Sequence, residues 1–154
     1  LRGGSFRAGL ALAVSISPAA AQFDVYDNPS VLSLPTTLRA TVRVPVTTTP
    51  EGPADTLTAL YPRLAACWRP PADLEAAAIT ARFALRRDGS LQGTPRITFT
   101  RVPSRRRDAL VAETLSSLAR CTPARLTAGL GGAVAGRPIA LRFVYPGPNQ
   151  GDRP

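Results

Sequence analysis

The sequence predicts an α+β domain of two layers, with a three-stranded antiparallel sheet carrying two helices on one face, in the order α-β-β-α-β. Two stretches place apolar residues at helical spacing, and three others alternate apolar with polar residues. The dipeptide Asp88-Gly89, between the first two alternating stretches, is a hairpin turn signal. The apolar face of such a sheet has to be covered, and the two helices are the cover available.

The first helix is expected from about Asp55 to Trp68, on the recurrence of Leu57, Leu60 or Tyr61, Leu64 and Trp68. Pro62 either kinks it or marks its first turn, and Pro70-Pro71 stop it. Ile79, Ala81, Phe83 and Leu85 alternate with Thr80, Arg82, Ala84 and Arg86 in the first strand, and Ile97 and Phe99 continue the returning one. Ser104 is the candidate N-cap of a second helix over about Arg105 to Arg120, with Val111, Leu115 and Leu118 as its stripe. Gly129 to Gly136 reads as a loop. Ile139, Leu141, Phe143 and Tyr145 then alternate into a last strand before Pro146.

The 154 residues suit one domain with tails. Residues 1–21 read as a signal peptide: Arg2 and Arg7, an apolar run from Gly9 to Ile16, then Ala19-Ala20-Ala21 before Gln22. That run, broken by Ser15, Ser17 and Pro18, is short of the roughly 20 residues that span a bilayer, so a cleaved, periplasmic protein is expected. Residues 22–53 form a Pro/Thr-rich linker, 54–146 the domain and 147–154 a disordered tail. Within the linker, Leu38, Ala40, Val42, Val44 and Val46 alternate with Thr37, Arg39, Thr41, Arg43 and Pro45, the pattern of a short edge strand docking on the domain or on a partner.

All 19 basic residues are arginine, for a net charge of +9, or +7 without Arg2 and Arg7. The arginines are scattered without aromatic interleaving, which argues against nucleic acid as a partner. An enzyme is hard to assemble from a chain without histidine and with two cysteines, Cys67 and Cys121. No cofactor is implied, and no metal-ligand spacing occurs. Both cysteines fall at the C-terminal ends of the predicted helices, and in an exported protein an even count points to a disulfide. The competing readings are two buried thiols and a redox pair, the latter without a Cys-x-x-Cys arrangement. Trp68 continues the first helix's stripe and is expected as a core anchor.

Cys67-Trp68-Arg69-Pro70-Pro71, Ala81 to Leu85 leading into Arg87-Asp88-Gly89-Ser90-Leu91, Ala119-Arg120-Cys121-Thr122-Pro123 and Leu141-Arg142-Phe143 together resemble the C-terminal domain of TolA and the related TonB C-terminal fold, over about residues 57–146. The resemblance implies a periplasmic recognition module that is not an enzyme and whose last strand offers its edge to a partner strand. By position that edge is Ile139, Ala140, Leu141, Arg142, Phe143, Val144 and Tyr145, and the partner is an outer-membrane or periplasmic envelope protein, the chain itself being a monomer or an edge-exchanged dimer. The chain departs from the family after Pro123, where Ala124-Arg125-Leu126 and a glycine stretch replace its aromatic and Leu-Pro elements.

A second reading starts from charge. Arg82, Arg86, Arg96 and Arg142 share the polar parity of their strands, either as a solvated face or as a surface for anionic envelope lipid or polymer. Arg105, Arg106 and Arg107 fall at a predicted helix start, where the macrodipole disfavours cations, so they either precede the helix or await an anion.

Overall fold

In the computed structural model the described residues are 35–150, the side chain of Gln150 excepted; the expected signal peptide, the linker before Pro35 and the end of the tail lie outside them. The elements run β1 (Leu38–Arg43), α1 (Leu57–Ala65), β2 (Ala77–Leu85), β3 (Leu91–Arg101), α2 (Ser104–Arg120), α3 (Ala128–Val134) and β4 (Ile139–Tyr145), with a 3-10 turn at Pro148–Gln150.

The expected three-stranded antiparallel sheet is corrected by one strand and one direction. The sheet has four strands in the order β1-β4-β2-β3. β2 pairs antiparallel with both β3 and β4, whereas β1 pairs parallel with β4, Leu38 facing Ile139 through to Arg43 facing Val144. The extra strand comes from the Pro/Thr-rich stretch. Leu38 N–H donates to Pro138 O at 2.8 Å and Val44 N–H to Val144 O at 2.9 Å, and both side chains are at most 2 % exposed. Composition marked this stretch as a tether because an edge strand buries only one of its faces and its pairing partner lies about a hundred residues away.

The helices also differ from expectation in detail. α1 starts after Thr56, whose hydroxyl accepts from Ala59 N–H at 3.2 Å, and it holds Pro62 inside. Ser104 is the first residue of α2 rather than its cap; Pro103 occupies the cap position without a side-chain hydrogen bond. The buried stripe of α2 is Leu110, Thr114, Ser117 and Leu118, with Val111 and Leu115 only half-buried. The hydroxyls are admitted to the core because each is bonded: Thr114 donates to Leu110 O at 2.8 Å and Ser117 to Thr114 O at 2.9 Å.

The glycine stretch is a third helix, not a loop. Thr127 caps α3 by accepting from Leu130 N–H at 3.3 Å. A Cβ on Gly131 would lie 2.3 Å from Arg87 O, so glycine here serves the close approach of α3 to the β2–β3 turn. That turn is held by Arg86 N–H to Ser90 O at 2.8 Å, with Gly89 at φ +82°.

Between the helices and one face of the sheet lies the core. Trp68 is fully buried, donates to Thr114 Oγ1 at 3.3 Å and packs at 5.5 Å, tilted by 47°, against Tyr145. Beside it Cys67 and Cys121 form a disulfide, with their Cα atoms 5.6 Å apart. Closing that loop contributes about 4 kcal/mol in the chain-entropy estimate. Arg120 reinforces the join, donating to Cys67 O at 2.9 Å and to Glu113 Oε1 at 2.7 Å, and Arg69 N–H reaches the same carboxylate oxygen at 3.0 Å.

Candidate functional site

Among the described residues, no helix covers the other face of the sheet. Strand side chains alternate, so the residues that interleave with the core positions all point to this face. The pairings set them in three rows of four across β1, β4, β2 and β3. One row is Arg39, Ala140, Arg82 and Arg96; the next is Thr41, Arg142, Thr80 and Phe99; the third is Arg43, Val144, Ala78 and Arg101. Neighbouring strands are about 4.8 Å apart and alternate residues about 6.6 Å, so the grid measures roughly 14 by 13 Å.

Six of these twelve positions are arginine and none is acidic. The carboxylates of the described residues lie in loops, in the hairpin turn or on α2. Arg39, Arg82, Arg96 and Arg101 are exposed, and none of them joins either of the ion pairs found here, Arg106 with Asp73 at 3.3 Å and Arg120 with Glu113 at 2.7 Å. Arg82 stands directly opposite Arg96, a placement of like charges that costs stability in a sheet. A shallow depression of about 370 Å³, lined by Arg39, Thr41, Thr80, Ala140 and Arg142, marks the grid's middle.

Phe99 belongs to this face through a break in register. The alternation places it beside Ile97 on the apolar side, but β3 carries an extra residue, Thr98, between the pairs Ile97–Ala81 and Phe99–Thr80. A bulge of this kind turns the following side chain to the opposite face. The ring is 40 % exposed, and the Arg142 guanidinium carbon sits 4.6 Å from its centroid. A second irregularity at Gly93 to Pro95 sets Arg96 opposite Arg82.

The expected arginine set is therefore divided. Arg82, Arg96 and Arg142 meet on one face, joined by Arg39, Arg43 and Arg101, which the sequence reading did not assign to it. Arg39 and Arg43 were visible as the polar parity of their stretch, but not the neighbours they would meet. Arg86 is spent on the hairpin, donating to Ser90 Oγ and Leu91 O. Arg105, Arg106 and Arg107 sit in the first turn of α2, Arg106 paired with Asp73. In the turn, hydrogen bonds from the Ser90 hydroxyl and N–H hold the exposed Asp88 carboxyl below its usual range.

The expected partner-binding edge is also corrected. Ile139 to Tyr145 is an interior strand, hydrogen-bonded to β1 on one side and β2 on the other. A partner strand cannot add there while β1 is in place. Among the described residues the outer strands are β1 and β3, and β3 is interrupted by Pro95 and two bulges, features that discourage pairing. A larger cavity of about 690 Å³ beyond the ends of β1 and β4 is walled by Pro45, Pro62, Pro146 and Pro148, with Arg43 its one charged side chain.

The fold and this face define a small, disulfide-linked α+β domain with a basic open sheet. The family model described as Uncharacterised conserved protein UCP034077 matches residues 50–147, and the chain belongs to that family. β1 precedes the matched residues. The searches of curated proteins and of solved structures found no match. Among the described residues, no helix is long and apolar enough to cross a membrane.

Proposed function

We propose that the protein is a non-enzymatic docking module of the cell envelope that binds a polyanionic partner, lipid or polymer, through the open face of its sheet. The observation that carries this reading is the grid of six arginines with no carboxylate among its twelve positions. Like charges set on neighbouring strands repel, and an anionic partner removes the repulsion on binding. Arginine suits the role because its guanidinium stays charged and pairs bidentately with phosphate or carboxylate. The signal-like N-terminus and the disulfide support placing the module in an oxidising compartment. The likeness of its cysteine motifs to the TolA and TonB C-terminal modules supports recognition rather than catalysis.

Retention on immobilised inorganic polyphosphate, measured against salt, tests the reading. Binding is expected to fall steeply with ionic strength. The pair Arg82→Gln with Arg96→Gln is expected to lose most of the retention, and the pair Arg105→Gln with Arg107→Gln on α2 to keep it. Retention that ignores salt, or an equal loss in both pairs, would refute the assignment to this face.

A further inference from the structure

The partner can be named by its shape. Resting on the reading above, we infer that the arginine face is a membrane-docking surface that lies flat on an anionic bilayer, with Phe99 entering the interface.

Three features favour a bilayer over the other anions. A linear polymer is gripped by a groove that tracks its backbone, whereas these arginines occupy the four corners, one side and the interior of a patch roughly 14 by 13 Å. Arg39 and Arg43 stand on one outer strand, Arg96 and Arg101 on the other, with Arg142 and Arg82 between. A small free anion needs converging guanidinium groups in a pocket, and the depression at the middle of the grid is shallow and is lined by only two of the six, Arg39 and Arg142. A plane of headgroups matches a patch of this shape, meeting Arg39, Arg82, Arg96, Arg101 and Arg142 together.

The third feature is Phe99, the only large hydrophobic side chain left exposed among the described residues. The extra residue Thr98 is what puts it there, so the backbone departs from regular pairing at the point where an aromatic ring joins the arginines. Aromatic rings favour the headgroup level of a bilayer, and long basic side chains keep their charge in water while their stems lie along apolar surface. The Arg142 guanidinium carbon sits 4.6 Å from the Phe99 ring centroid, so charge and ring share one site on this face. In the docked state the sheet plane parallels the bilayer and the helices face away from it.

The test uses the full chain with vesicles of phosphatidylcholine alone and of phosphatidylcholine mixed with phosphatidylglycerol, followed by flotation. Binding is expected only to the mixed vesicles, and each arginine of the grid changed to glutamine should weaken it about fivefold. Phe99→Ser should weaken vesicle binding about fivefold while leaving retention on polyphosphate unchanged. The indole introduced by Phe99→Trp should be quenched by lipids brominated on the acyl chain, while Trp68, fully buried in the core, should not be. Retention on polyphosphate without binding to mixed vesicles would overturn the membrane inference and leave the polyanion reading standing. Failure of both would end both. Vesicle binding with no quenching and no effect of Phe99→Ser would remove Phe99 from the interface and overturn the inference as stated.

Discussion

On its covered face the sheet presents Leu38, Ile79, Leu85, Ile139, Leu141 and Phe143, each at most 2 % exposed. One residue further along the same strands, on the open face, it presents six arginines, two threonines, small apolar residues and Phe99. The difference shows two kinds of constraint acting on one backbone. Covered positions are selected for filling space against α1 and α2, so their identities follow from packing. Most open positions are not filled against a described helix, and like charges set directly opposite each other there, Arg82 and Arg96, weaken the fold slightly.

The comparison can be broken most severely at Trp68. Trp68→Ala removes the largest fully buried side chain and its bond to Thr114, and is expected to cost about 4 kcal/mol in urea unfolding. A loss below 1 kcal/mol would mean that the covered face is not the core (by about the scale of surface changes).

Leu38→Ala sharpens the comparison at its least obvious member. If β1 belongs to the fold, the change costs about 2–3 kcal/mol, whereas a tether residue would give a value near zero. On the open face the sign should reverse. Arg96→Thr relieves the repulsion with Arg82 and supplies a β-branched residue, and is expected to raise stability by about 0.5 kcal/mol, read as a higher urea midpoint with unchanged slope. A clear loss would show that the arginine holds a structural contact.

The smallest effect lies in the hairpin turn. The folded Asp88 carboxyl is held below its unfolded value, so its contribution is present above the ordinary carboxylate range and is lost as pH falls through the folded value. The Ser90 amide resonance should move through that transition in an NMR titration and should stay still in Asp88→Asn.

Local signals were sufficient for much of this. The alternation in Ala77–Leu85 and Ile139–Tyr145, the turn at Asp88-Gly89 and the helix ending at Arg120 are visible because each pattern is complete within a few residues. The buried stripe of α2 was displaced from the apolar pattern because Thr114 and Ser117 satisfy their hydroxyls internally, which hydropathy does not register. α3 was hidden by its glycines, which suit its approach to Arg87 O rather than a flexible loop.

By itself the sequence determined which stretches alternate, where the hairpin turns, that two cysteines end the two main helical segments, and that the chain is basic through arginine alone. Only the tertiary structure decided that residues 38–43 pair with the last strand and close its edge, that Arg39, Arg43 and Arg101 join Arg82, Arg96 and Arg142, and that Phe99 stands among them. The physical reason is range. Periodicity is written between neighbours in sequence, whereas strand order and the register shift at Thr98 arise from hydrogen bonds between distant segments, and the open face exists only once those bonds are made.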